Sequence, residues 1–292
     1  ELSDGENRRS RSYIVTLKHV NELNLGKLND YVSGNLRSIP RDILQGMDVV
    51  MKENPSRHRI SIGRSSYPTN CNNQEDDLGR GITAARGFQQ SLKLTFQGLS
   101  LGLDHSVLAF LKPLPVIDFL EEHIQEFSTS DFGRWRMEVM NALQGFQVMV
   151  THRVTNQKFT IAGLTVQNTR DIAFDVEDPE GSDPPRNVSL VDYFRETYGR
   201  EIIYKDIPCL DLGINNRKND VPMEFCILVE GQRYPKECLD GDAARRLKRM
   251  SMAPPKDRKN WICKMVQAKD GPCGEEVMMS FFHFRENFVG VG

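Results

Sequence analysis

From Gln144 to Val229 the sequence is cut into short apolar runs: Phe146 to Arg153, Lys158 to Val166, Ile172 to Val176, Ile202 to Tyr204, Cys209 to Leu212 and Met223 to Val229. Strands this short and closely spaced suit a small barrel. One helix interrupts them. Ser189 and Asp192 form an S-x-x-D capping box, Leu190, Tyr193 and Phe194 follow, and Tyr198-Gly199 supplies the stop. The pattern predicts a barrel with an inserted helix.

The flanks mix helix and strand, so the expected class is α+β. Tyr13 to Leu17 reads as a strand, followed by a helical stretch around Leu23 to Val32. Ser38 and Pro40 open a helix whose stripe is Ile43, Leu44, Met47, Val50 and Met51, with Asn54-Pro55 as its stop. Arg59 to Gly63 is a strand candidate, and polar Ser65 to Arg80 reads as a long exposed loop. Gly87 to Phe110 reads as a meander of three strands divided by Gly and Asp turn signals. Two helices then follow, one opened by Pro115 with Ile117, Leu120, Ile124 and Phe127 on a face, the other from Asp131 to Leu143. Two basic helices, Asp240 to Met250 and Pro254 to Ala268, precede a Gly-rich aromatic tail.

With 292 residues, 39% hydrophobic and 27% charged, the chain is of globular composition and long enough for about two domains. Its formal net charge of -2 gives no overall attraction to a polyanion. Between Gln232 and Lys264, however, ten Lys or Arg face four acids, a local patch that could steer one. Six cysteines without a C-x-x-C pair argue for reduced thiols, and the isolated histidines give no metal site, so no cofactor is expected. No run approaches a membrane span and the first residues lack a signal-peptide core, so the chain is expected inside the cell and off the membrane.

Two strings imitate catalytic motifs. Gly98-Leu99-Ser100-Leu101-Gly102 fits the nucleophile elbow, but the elbow needs a helix directly after it and another strand is expected there. Gly79-Arg80-Gly81-Ile82-Thr83-Ala84 fits a dinucleotide fingerprint, but Glu75-Asp76-Asp77 before it is no buried strand. More promising are His152, Phe159, Phe174, Tyr193 and Tyr198, all inside the expected barrel and its helix. Aromatic faces stack on unpaired bases, and Tyr hydroxyls or a His ring bond phosphate, which suits a single-stranded nucleic acid. The competing reading makes His152 the end of a core stripe with Phe146, Val148 and Val150.

The phrases DILQGMDVVMKENPS (42 to 56), GFQQSLKLTFQGLSLGLDHSVLAF (87 to 110), FTIAGLTVQNTRDIAFD (159 to 175), SLVDYFRETYG (189 to 199), IPCLDLG (207 to 213) and VPMEFCILVEGQRYPK (221 to 236) resemble a plant Argonaute. The resemblance implies a small N-terminal α/β lobe that ends the N domain (residues 1–78), linker 1 (79–130), a PAZ domain with its leading helix (131–262) and the start of linker 2 with an atypical tail (263–292). It implies that PAZ is an oligonucleotide-binding-like (OB-like) barrel with an α/β insertion, which grips the 3′ end of a small guide RNA in gene silencing. His152, Tyr193 and Tyr198 then match the phosphate-binding residues and Phe174 the stacking one. Phe159 stands where the family usually has Tyr, and Val221 where it has a Leu touching the terminal nucleotide.

Lys158 remains on the second barrel strand, but Gln157, Thr160 and Thr197 replace cations of animal relatives, so weaker and less salt-sensitive binding is expected. The family's MID and PIWI domains fall outside this sequence, so no catalysis is expected from it. The implied partners are siRNA or miRNA and other silencing proteins, in the cytoplasm or the nucleus. The rival readings are a fragment that binds proteins or competes with full-length Argonaute without holding RNA, and a Ser100 hydrolase.

Overall fold

The computed structural model describes residues 14–69, 76–95, 98–176, 186–213 and 219–272. Cys71, Cys273, the acidic residues 177–183 and the aromatic tail lie outside these. The chain divides into two compact units, Glu1–Val50 with Leu92–Gly102, and Met51–Ser91 with Leu103–Gly292.

The first unit holds α1 (Gly26–Val32) and the first half of α2 (Arg41–His58), where Ile43 and Met47 are buried. The strand expected from Tyr13 to Leu17 does not form over its described part: Ile14 is 98% and Leu17 93% exposed. An extended segment gains ladder bonds only against a partner strand, and none of the described strands pairs with it. Nor does α2 stop at Pro55; it continues to His58. Proline removes the N–H that would bond the carbonyl four residues back. The buried Gln90 side chain donates its Nε2–H to that carbonyl, Met51 O, at 3.1 Å.

The second unit begins with β1 (Arg59–Ile62) and β2 (Ser65–Pro68), followed by β3 (Asp77–Gly79), β4 (Ile82–Thr95) and β5 (Gly98–Leu111). The sheet order is β1-β2-β4-β3, with β5 also on β4. β2 and β3 form at the two ends of the loop expected from Ser65 to Arg80, whose residues 70–75 lie outside the described ones. The expected three-stranded meander is instead one long hairpin, β4 and β5, with Gly102 and Asp104 inside a strand. Asp104 serves the tertiary structure rather than a turn, accepting from Arg258 Nε at 2.8 Å.

The two imitation motifs are structural. Ser100 sits within β5, with no helix behind it. Arg80 and Gly81 make the two-residue turn between β3 and β4, at φ of 55° and 71°, where left-handed backbone is required. A Cβ on Gly81 would stand 2.5 Å from the Phe119 ring, so glycine also lets α3 pack down onto the hairpin.

α3 (Val116–His123) starts after Pro115 as expected, and α4 (Phe132–Leu143) follows. The barrel strands are β6 (Gln147–Val150), β7 (Phe159–Thr160) and β8 (Gly163–Asn168). The insertion is β9 (Ala173–Val176), β10 (Arg186–Ser189) and α5 (Leu190–Tyr198), after which the barrel resumes with β11 (Pro208–Asp211), β12 (Asp220–Val221) and β13 (Cys226–Leu228). The chain is α+β, and its barrel consists of two three-stranded sheets, β13-β6-β7 and β12-β11-β8, which no ladder closes edge to edge among the described residues. α6 (Gly241–Ser251) and α7 (Pro255–Gln267) complete the unit.

One core joins hairpin, helices and barrel: Ile82 and Leu111 meet Phe119, Leu120, Val139, Val148, Leu210 and Leu228. Burying each such side chain contributes about 1.5–3 kcal/mol. The backbone joins them too. Leu111 N donates to Gln232 O, Tyr234 N to Ala109 O and Leu228 N to Leu114 O, at 2.8–2.9 Å. At the far end, buried Asn54 donates Nδ2–H to Lys269 O and Gly271 O, and Arg59 pairs with Asp270 at 2.7 Å.

Candidate nucleic-acid interface

A small second core lies beneath the insertion, built from Ile172, Leu190, Phe194, Ile202 and Cys209. The capping box seen in the sequence fixes its helix: Asp192 N donates to Ser189 Oγ at 3.0 Å, and that hydroxyl donates to Asp192 Oδ2 at 2.6 Å. Gly199, at φ 59°, ends it. α5 thereby turns Phe194 inward and leaves Tyr193 and Tyr198 half-buried.

His152 arrives from the barrel. It continues the β6 alternation of buried Val148 and Val150, is 8% exposed, and its ring lies 4.7 Å from Tyr198 and 5.0 Å from Phe194. Tyr198 meets Tyr193 at 5.7 Å, and Tyr193 meets Phe174 of β9 at 5.1 Å, both edge to face. Phe174, Tyr193, Tyr198 and His152 thus form one continuous line of rings. The two readings of His152 are compatible: it ends the core stripe and also enters the line.

Phe194 and Phe225 floor this line, stacked at 5.2 Å. Phe225 belongs to the 3₁₀ turn Met223–Phe225 ahead of β13, where a strand was expected from Met223. Its carbonyl accepts from Thr151 N at 2.9 Å, which ties the turn to the residue before His152. The adjacent Glu224 carboxylate accepts from Ile203 N and Tyr204 N, each at 3.0 Å, and so holds the return segment of the insertion. Those amides are spent on a carboxylate, which is why the strand expected at Ile202 to Tyr204 is absent.

Two rings of the line are held neutral by burial. Burial, and then the neighbouring Arg153, push the His152 imidazole down to about 4, so it is uncharged at neutral pH. Its Nδ1 is buried without a hydrogen-bond partner. Burial and the Tyr193 hydroxyl push the Tyr198 phenol up, against Arg153, so it too stays neutral. The nearby Cys209 thiol is pushed up to about 12 by burial and is no nucleophile.

Of the residues singled out in the sequence, His152, Phe174, Tyr193 and Tyr198 come together, whereas Phe159 and Val221 are 4% and 2% exposed and belong to the barrel core. Their alternation places both side chains inward. Lys158 is exposed beside Phe159. The basic helix α6 packs on β3, where Arg246 bears on Asp77 and Arg80 pairs with Asp240 at 3.0 Å, away from the line of rings. Phe194, Phe225, Glu224 and Arg153 were not singled out. Phe194, one turn before Tyr198, was legible as a helix-face partner; the others are joined to the site only by folding.

Two small sheets with a helical insertion, and a line of rings where they meet, are the arrangement of a PAZ domain, and the PAZ model matches residues 117–248. The Argonaute linker 1 model matches residues 61–112, and the chain belongs to the Argonaute family. It is 36% identical over 288 residues to Protein argonaute 2 of Oryza sativa subsp. japonica, covering 96% of this chain and 26% of that protein. Protein argonaute 10 of Arabidopsis thaliana is 34% identical over 267 residues, covering 89% of this chain and 26% of its own length. The chain therefore spans about a quarter of these relatives. The Kluyveromyces polysporus Argonaute, solved with a guide RNA, superposes with a TM-score of 0.59 at 16% identity, over 82% of this chain and 28% of that one.

Proposed function

We propose that this segment binds the 3′ end of a single-stranded small guide RNA and contributes binding, without chemistry, to RNA-guided silencing. The observation that carries the reading is the line Phe174, Tyr193, Tyr198 and His152, with the unpartnered buried Nδ1 of His152 at one end. Stacked rings receive a base or sugar face, while phenol hydroxyls and an imidazole N–H donate to a phosphate oxygen. Such a cleft reads the end of a strand and its freedom to unstack, and not base identity. The solved relative holding a guide RNA supports the same class of ligand.

The test is binding of a short single-stranded RNA with a free 3′ end, beside the same RNA carrying a bulky 3′ block, by wild type and Tyr193→Ala. Tight binding lost both on blocking and on substitution supports end capture. Equal binding of both RNAs, or of neither, defeats it.

A further inference from the structure

A phosphate site needs positive charge, and burial leaves the His152 imidazole uncharged and the Tyr198 phenol neutral at neutral pH, so that Lys158 is the one basic residue among those singled out in the sequence. Arg153 is the cation the fold brings in. Its guanidinium lies over the Phe159 ring, 5.6 Å from the centroid, and it bears on both the Tyr198 hydroxyl and the His152 imidazole. It is exposed, and no carboxylate among the described residues pairs with it. By contrast, the neighbouring Arg195 is engaged by Asp192 and Glu201, and Arg170 by Asp206.

Within the reading of end capture, we propose that Arg153 is the phosphate-binding cation of the pocket and that Phe159 is its platform rather than a surface for RNA. Phe159 is buried in the barrel core, so the guanidinium rests on a fixed ring and its outer N–H donors stay open to a phosphate oxygen beside Tyr198. A planar guanidinium stacked on one face still offers two parallel N–H bonds along its edge, which an ammonium does not. Arg153 thus takes the part of the charge missing at Gln157 and Thr160 on the second strand.

The experiment is a salt titration of binding to a single-stranded oligoribonucleotide with a free 3′ end, for the full chain, Arg153→Gln, Arg153→Lys and Lys158→Gln. One phosphate contact on a single strand contributes about 0.7 to the slope of log K against log salt. Arg153→Gln should lower that slope by about 0.7 and weaken binding about tenfold at low salt. Arg153→Lys should keep the slope and lose part of the affinity, which a merely structural role for the side chain would not produce. Lys158→Gln should change the slope less than Arg153→Gln. An unchanged slope for a folded Arg153→Gln, checked by its thermal unfolding, overturns the proposal. If the wild type ignores a 3′ block but Arg153→Gln still lowers the slope, end capture fails while the phosphate contact of Arg153 stands.

Discussion

Two of the three hydrophobic cores among the described residues of the larger unit are built on opposite rules. The main one is large and mostly aliphatic at its centre, and draws on hairpin, helices and barrel at once; the one under the insertion is small, and its aromatic margin stays half open. Packing that reaches across many elements is expensive to disturb, whereas rings in edge-to-face contact at a surface gain little from one another, about 0.5–1.5 kcal/mol per pair. If the line of rings holds RNA as proposed, stability and ligand contact are carried by different side chains, and substitutions should separate them.

The largest effect belongs to the main core. Phe119→Ala removes a fully buried ring that seats α3 on the β3–β4 turn, and should cost about 3–5 kcal/mol in denaturant unfolding, with RNA binding lost along with the fold. A cost under 1 kcal/mol would show that hairpin and barrel do not share a core. Next comes the joint between the cores. Glu224→Ala deprives Ile203 N and Tyr204 N of a charged acceptor and should cost about 1.5–3 kcal/mol, with faster hydrogen exchange at those two amides. Glu224→Gln, which keeps one acceptor oxygen, should restore most of the protection.

Acid should act through His152. The unfolded imidazole takes its proton near 6.5 and the folded one only near 4, so the unfolded chain binds more protons between these values. Stability is then complete above about 6.5 and falls as the pH drops toward 4; the curve of His152→Gln should be flatter across that window. The smallest effect on stability belongs to the open margin. Tyr193→Ala should shift unfolding by less than about 1 kcal/mol yet weaken binding of a free-ended RNA about tenfold, because base stacking is worth about 1–3 kcal/mol. A large loss of stability here would merge the two cores into one.

How legible these features were depended on how local their causes are. The capping box at Ser189 and Asp192, the stop at Gly199 and the opening of α3 after Pro115 are written in neighbouring residues, and the structure follows them. His152, Phe174, Tyr193 and Tyr198 were legible as polar or aromatic residues within the span of the expected barrel and its helix, and folding brings their rings together. Pro55 inside α2 misled the reading because its remedy, Gln90, is on another element. Asp104 looked like a turn signal because its partner, Arg258, lies 154 residues away. Alternation pointed Phe159 and Val221 inward all along. Glu224 and Phe225 read as ordinary strand residues, since what they hold comes from the far side of the insertion.

The Arg59 and Asn54 clasp joins α2 and β1 to backbone as far as 217 residues along the chain. It acts as a tensile link. Tension entering through α2 and leaving after α7 would load those few bonds first, and the sheets between them would feel no pull until the clasp gave way.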